Sequence, residues 1–354
     1  MSDTTGDGAR TSDAHGARGR SPAFPAPPSP AFRALSARLG GDPLQVQGPG
    51  GNTSIKSDGA MWIKASGTKL ADAATGDVFV AVDVGRARAE VDGTGAGPCR
   101  ADMLDPGSSV RPSIETTFHA LLDWPVVLHT HSVATLAHAV SERGAAVAME
   151  KLAGMDAALV PYRKPGLPLT RAIREAGEAG TRVFVLRNHG LVVCGESIED
   201  ADARIREVER RLALAPRPAD GPDRPFEAPI GWRALPWAAP LAGDLLARAS
   251  AGTLYPDHAV FLGPGLGTMP DRVDPAQRAA VLPGRGAMLR EDAAATRDAV
   301  ATREAMLRCL LDVVLRVDPA WGVEPIGAEA EAELMSWDAE EYRQKLAAAR
   351  DAAP

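Results

Sequence analysis

The sequence has few cysteines, and none are placed to cooperate. Cys99, Cys194 and Cys309 are far apart and odd in number. That excludes a disulfide framework and a CxxC metal knuckle, and it fits a reducing cytoplasm. No apolar run approaches the ~18 residues needed to span a bilayer. The opening residues, MSDTTGDGARTSDAHGARGR, lack the apolar stretch of a secretory signal. Positive charge is not in excess: 39 Lys and Arg stand against 46 Asp and Glu, for a formal net charge of -7. Such a chain is not drawn to nucleic acid or to anionic membranes. There is no strand–GxGxxG–helix element, which excludes a Rossmann module, and there is no internal repeat. What is present is a chain of 354 residues, 45% hydrophobic and 24% charged. That is enough apolar material for one large domain or two smaller ones. The expectation is a soluble, cytoplasmic protein.

Residues 1–30 are rich in Gly, Ser, Ala, Asp and Pro. They cannot bury enough apolar surface to offset ordering entropy, so a disordered tail is expected. Residues 31–213 alternate helix and strand signals. AFRALSARLGG opens as a helix. SIK and MWIKAS flank a turn at Ser57-Asp58-Gly59 and predict a hairpin, and DVFVAVD is a further short β-rich run. RPSIETTFHALLDW has helical spacing, VVLHTH is a strand, and SVATLAHAVSERG predicts one helix closed by Gly144. TRVFVLRNHGLVVCG predicts two strands broken at Asn188-His189-Gly190. SIEDADARIREVERRL predicts an amphipathic helix capped by Ser197. Residues 214–229 form a Pro-rich linker. Residues 230–354 form a C-terminal extension, with a strand-like run in TLYPDHAVFLGPG and helical patterns in DAAATRDAVATREAMLRCLLDVVLRV and DAEEYRQKLAAARDAA.

The chemistry is carried by histidines. His129 and His131 are two apart on a strand, so their side chains share a face about 7 Å apart. Two imidazoles so placed can hold one borderline metal ion, although polar residues at a strand end give the same pattern. His189 sits where a strand breaks before a glycine and can project into a cleft. An ordinary turn histidine would look alike. Glu115 starts a helix that leads into the HxH strand. There it can serve as a general base beside a metal, or simply belong to the first helical turn with Ser113. The loop GPGGNTS (48–54) and the segment ASGT (65–68) offer backbone amides to an anion. His119 and His138 fall on helices beside apolar positions and are expected to be packing or surface residues, and Cys194 is expected to be buried. His258 is expected to be structural, unless the extension folds over the cleft.

Taken in order, GGNTS, WIKASGT, PSIE, HTH and NHGL resemble the class II aldolase/adducin family over about residues 32–212. The resemblance implies an α/β fold, three-layer α/β/α around a mostly antiparallel sheet, with the extension as a smaller α/β unit. It implies zinc, or another divalent metal such as manganese or cobalt, on His129, His131 and His189. Glu115 matches the proton-transfer group. Gly51, Asn52, Ser66, Gly67 and Ser113 match the loops that hold the substrate, a small sugar or sugar phosphate. It also implies a homotetramer. Partners of other kinds, nucleic acid or membrane, are not implied.

Three departures qualify the match. Ile114 stands where fuculose-phosphate aldolases carry a second serine, and its side chain cannot donate to a phosphate. Tyr162, Tyr255 and Tyr342 offer no clear counterpart to the aldolase tyrosine. The chain also runs on well past the aldolase-like region. The PSxE and HTH pattern looks closer to the rhamnose-utilisation aldolase/dehydrogenase branch, yet the extension is too short for that branch's dehydrogenase domain. The reaction expected is C–C cleavage or formation in a small ketose or ketose phosphate through an enediolate. The same constellation supports decarboxylation, epimerisation or dehydration of a sugar acid or ketose. A non-catalytic, adducin-like scaffold is the reading of another class.

Overall fold

Helix α1 (Pro30–Gly41) starts where the sequence provides both a cap and a preset φ: the Ser29 side chain accepts from the Phe32 amide, and Pro30 takes the first turn. The computed structural model describes residues 24–93, 99, 102–105, 107–219, 225–269, 276–291 and 296–336. The expected tail up to residue 23, part of the linker (220–224) and the expected terminal helix over 338–353 lie outside the described residues.

After α1 come β1 (Asn52–Ser57) and β2 (Ala60–Lys64). They turn through Asp58 (φ 49°) and Gly59 (φ 77°), the positive-φ pair that a two-residue hairpin requires. Then follow β3 (Phe79–Asp83), α2 (Val84–Asp92), α3 (Thr116–Leu121), β4 (Val126–Thr130), α4 (Val133–Ala139), α5 (Glu142–Lys151), β5 (Ala157–Val160), α6 (Leu167–Ala176), β6 (Val183–Leu186), β7 (Gly190–Gly195) and α7 (Ile198–Leu212). The seven strands form one sheet in the order β3-β2-β1-β4-β7-β6-β5. Its one parallel pair is β5 with β6.

Strand alternation divides the two faces. Val126, Leu128, Leu191 and Val193 pack with Phe32 and Leu39 of α1 and Ile205 and Val208 of α7. Their neighbours Val127, Val192 and Cys194 pack on the opposite side with Phe118 of α3 and Leu169 and Ile173 of α6. The result is the three-layer α/β/α arrangement around a mostly antiparallel sheet. Cys194 is buried as expected.

The chain continues through β8 (Trp232–Leu235), α8 (Gly243–Ala249), α9 (Pro256–Leu262), β9 (Gly267–Thr268), β10 (Ala279–Leu282), β11 (Gly286–Arg290), α10 (Arg297–Arg316) and α11 (Ala328–Met335). A second sheet has the order β8-β11-β10-β9. This smaller region docks on the first. Val133, Leu136, Ala137 and Val140, from α4 and its C-terminal cap, share one buried cluster with Leu254, Leu307 and Leu310. Each fully buried Leu or Val there contributes roughly 1.5–3 kcal/mol.

Two sequence expectations are corrected. TLYPDHAVFLGPG is not a strand. Pro256 opens a short helix, α9, and Gly263 at φ 92° closes it. SVATLAHAVSERG is not one helix. The Ser141 side chain accepts from the Gly144 amide and starts α5 afresh, so Gly144 lies inside a helix instead of ending one. A Cβ at Gly144 would sit 2.5 Å from the His138 carbonyl oxygen, so the glycine permits this close turn between helices.

His138 helps join the two regions, and His258 holds a turn within the C-terminal one. His138 stacks obliquely on Trp321, donates from Nδ1 to the Ala134 carbonyl and accepts from Lys151. His258 accepts from the Leu254 amide and donates to the Gly265 carbonyl. Both bonding patterns require neutral rings, and burial pushes both pKa values down to about 4. Unfolded, each ring titrates near 6.5. Between about pH 6.5 and 4 the unfolded chain therefore binds protons that the folded chain refuses. Their contribution is full above that window and is lost as pH falls through it, by up to ~1.4 kcal/mol per pH unit for each ring. Urea midpoints measured from pH 7.5 to 4.5 are expected to decline steadily below about 6.5; a flat profile would refute the assignment.

Candidate metal and active site

Strand register brings the residues together. Asn52 on β1 pairs with His129 on β4, and His129 pairs with Val192 on β7. The tight β6–β7 connection carries Asn188 (φ 51°) and His189, and so delivers the third imidazole to the end of β4. His131 lies just past β4, before Ser132 caps α4. The three ring centroids are 5.0, 5.1 and 5.4 Å apart. A nitrogen from each ring lies within 4.8 Å of the others, so the cluster can hold a metal ion. All three rings are buried.

Gly190 makes the approach possible. A Cβ there would stand 2.4 Å from the Thr130 carbonyl oxygen and 3.3 Å from the His131 Cα. Gly190→Ala is expected to force β7 from β4 and to cost about 2–3 kcal/mol, measured by urea unfolding. Unchanged stability would show that the strands have room to yield.

Glu115 caps α3 and faces the cluster. Its Oε2 lies 3.4 Å from His129 Nε2, and its Oε1 lies 3.3 Å from His189 Nε2. Asn52 donates to Glu115 Oε2 at 2.8 Å and to Ser113 Oγ at 3.0 Å. Burial works to raise the Glu115 pKa, but the surrounding imidazoles and the Asn52 amide hold the carboxyl below its ordinary range. Burial also lowers His129, and lowers His189 to about 3. Neutral rings beside a carboxylate are the protonation states that metal ligation requires. His129 donates from Nδ1 to the Leu191 carbonyl at 3.0 Å, which leaves Nε2 bare and buried without a hydrogen-bond partner. Glu115 Oε1 is likewise without one. A bare imidazole nitrogen aimed at a carboxylate fits a shared cation. The nitrogen-rich donor set suits zinc or a similar divalent ion.

A small pocket opens beside the cluster. Gly51, Asn52, Ser66, Gly67, Ser113, Glu115, His131 and His189, all singled out in the sequence, line it. His129 does not, because it lies fully buried behind the wall. Ile114 is in the lining, and among the described residues no tyrosine is.

Two functional candidates were not legible in the sequence. His119, expected to be a packing or surface residue, is fully buried and bonded at both nitrogens, to Asn52 Oδ1 and to Ser54 Oγ. The Asn52 oxygen can only accept, so Nε2 carries the proton and Nδ1 accepts from Ser54. His119 thereby fixes which way the Asn52 amide points. The available signal was the spacing of Asn52 and Ser54, which share one face of β1. Asp257, at the start of α9, reaches in from the C-terminal region, with its Oδ2 2.7 Å from His131 Nδ1. His258 beside it does not reach the cluster.

The family model described as the Class II Aldolase and Adducin N-terminal domain matches residues 34–215. The uncharacterized oxidoreductase YuxG of Bacillus subtilis is 30% identical over 180 residues, covering 46% of this chain and 25% of that protein. The chain thus spans about a quarter of the length of that curated relative. An N-terminal class II aldolase domain from Thermoplasma acidophilum is 26% identical at TM-score 0.47, covering 56% of this chain and 98% of that one. The L-fuculose-1-phosphate aldolase of Thermus thermophilus is 19% identical at TM-score 0.36, covering 51% and 89%. No described helix is long and apolar enough to cross a membrane. With the family model matched across more than half its length, the chain belongs to the class II aldolase and adducin N-terminal domain family.

Proposed function

We propose that this protein is a metal-dependent lyase of the class II aldolase type, cleaving or forming a C–C bond in a small ketose or ketose phosphate. One observation carries the reading: the imidazoles of His129, His131 and His189 converge with the Glu115 carboxylate within 3.4 Å of two of them. His129, His131 and His189 would hold a divalent ion, zinc by preference. Such an ion supplies Lewis acidity next to the oxygen on which negative charge develops when the bond breaks.

The chain's own residues do the rest. Glu115, kept anionic and aimed by Asn52, takes up and returns the proton beside the reacting carbon. The Asn52 amide, itself oriented by His119, keeps the carboxylate from swinging away. Ser66, Gly67 and Ser113 face the distal end of the substrate. The wall formed by Glu115, His131 and Asp257 limits water around the reacting atoms.

A second reading has specific support. Ile114 in the lining cannot donate to a phosphate, and among the described residues no tyrosine lines the pocket to serve as an acid for a leaving fragment. These features favour an unphosphorylated substrate, and a decarboxylase, epimerase or dehydratase using the same residues. A homotetramer, implied by the sequence resemblance, and a cytoplasmic location, expected from the scattered cysteines, are further parts of the proposal, to be checked by light scattering and fractionation. The test is to screen the metal-loaded protein against free and phosphorylated ketoses and 3-oxo sugar acids, with aldehyde and CO₂ release as readouts. Fewer than about one tightly held metal per chain, with no turnover, would instead favour an adducin-like scaffold.

A further inference from the structure

The C-terminal region lies outside the family match, which ends at residue 215, yet it touches the histidine cluster twice. Asp257 is one contact. It is 3% exposed, and its Oδ2 lies 2.7 Å from Nδ1 of His131, itself 7% exposed. The other is Asn188, next to His189, whose side-chain amide donates to the carbonyls of Leu254 at 3.0 Å and Glu324 at 2.7 Å. Arg187, one residue earlier, is paired with the Glu324 carboxylate at 2.7 Å. The backbone closes the same ring, since the Ile326 amide donates to the Thr253 carbonyl. One imidazole therefore faces a carboxylate from this region, and the turn that carries another is anchored by it.

The loop between α1 and β1 is shaped around the first contact. A Cβ on Gly50 would stand 2.9 Å from His131 Nδ1 and 3.0 Å from Asp257 Oδ2. The glycine leaves room for the imidazole–carboxylate pair and for nothing more. On the sheet side, His129 shows the same design with a different partner. Its Nδ1 donates to the Leu191 carbonyl, which leaves Nε2 toward Glu115.

We infer that Asp257 is a positioning residue of the histidine centre: its carboxylate, 2.7 Å from His131 Nδ1, favours the proton on that nitrogen, steadies the ring and leaves Nε2 for a cation. The C-terminal region is thus a working part of the centre. This rests on the reading of the three histidines as metal ligands. A carboxylate behind a ligating imidazole raises its basicity and holds its plane, and removing such a partner typically costs 10–100-fold in metal affinity.

The test has one arm that needs metal and one that does not. In the apoprotein labelled with ¹⁵N-histidine, long-range proton–nitrogen spectra are expected to show His131 as the Nδ1–H tautomer in wild type and as a tautomer mixture in Asp257→Asn. In Co²⁺ titrations followed by visible absorption and chelator competition, Asp257→Asn and Asp257→Ala are expected to bind 10–100-fold more weakly than wild type. At saturation both should keep the wild-type band shape. Asp257→Glu is expected to recover part of the affinity. Circular dichroism and melting temperature check that the variants fold, and the comparison is read on Asp257→Asn, the variant of nearly unchanged volume. An unchanged tautomer together with unchanged Co²⁺ affinity in Asp257→Asn would overturn the inference. An altered band shape at saturation would overturn it too, because Asp257 would then be a ligand itself. Failure of wild type to bind Co²⁺ would overturn the lyase reading instead, and the tautomer arm would still decide whether Asp257 positions the ring.

Discussion

Glu115→Gln is expected to keep its metal and lose most of its turnover. The amide matches the carboxylate in shape, and one of its polar ends can still meet the Asn52 side chain that bonds Glu115 at 2.8 Å. The three imidazoles are untouched. The group lost is the proton carrier, and a positioned general acid or base contributes typically 10²–10⁴-fold. A fall of about that size in kcat is expected, with metal content by plasma emission unchanged at about one ion per chain. The pairing of the two readouts separates roles. Loss of metal together with turnover would make Glu115 chiefly a ligand, and full activity would remove it from the chemistry.

His189→Ala is expected to remove metal binding itself. Three protein ligands with an open position are the minimum of a catalytic zinc site, and this substitution leaves two. Affinity should fall by more than the ~100-fold that follows from losing a partner behind a ligand. Stability offers an independent reading. A ligand that binds only the folded state adds RT ln(1 + [L]/Kd), about 4 kcal/mol at a thousandfold excess over Kd. Wild type is expected to melt markedly higher with zinc than with a chelator, and His189→Ala to melt alike in both. A variant still stabilised by zinc would show that the ion sits elsewhere.

The sequence carried much of this centre because its residues are close together along the chain or repeat at fixed spacings. Period-two patterns in VVLHTH and in the strands around Asn188-His189-Gly190 put the histidines at strand ends. Ser197 announced α7 by capping chemistry, and its side chain accepts from the Asp200 amide. Along that helix Glu207 is bonded to both Arg210 and Arg211. The failures have equally physical causes. α9 is only seven residues long, too short for a helical period to show against an apolar run. Its proline, Pro256, is the preset first turn of the helix. Asp257 was invisible because its partner is 126 positions earlier (257 minus 131), and only docking of the C-terminal region on α4 joins them. His119 packs in the core, stacked on Phe118, but its bonds to Asn52 and Ser54 could not be read from apolar flanks, which are as compatible with a buried hydrogen-bond relay as with packing alone.

The grip of Asn188 on the carbonyls of Leu254 and Glu324 bears on how the protein matures during translation. All three histidines and Glu115 leave the ribosome before either carbonyl does. The nascent chain therefore reaches a stage at which every metal-facing side chain exists but the turn bearing His189 has no anchor. On the proposed reading, an ion would meet its final surroundings only after the segment carrying Leu254 and Glu324 has been made and docked.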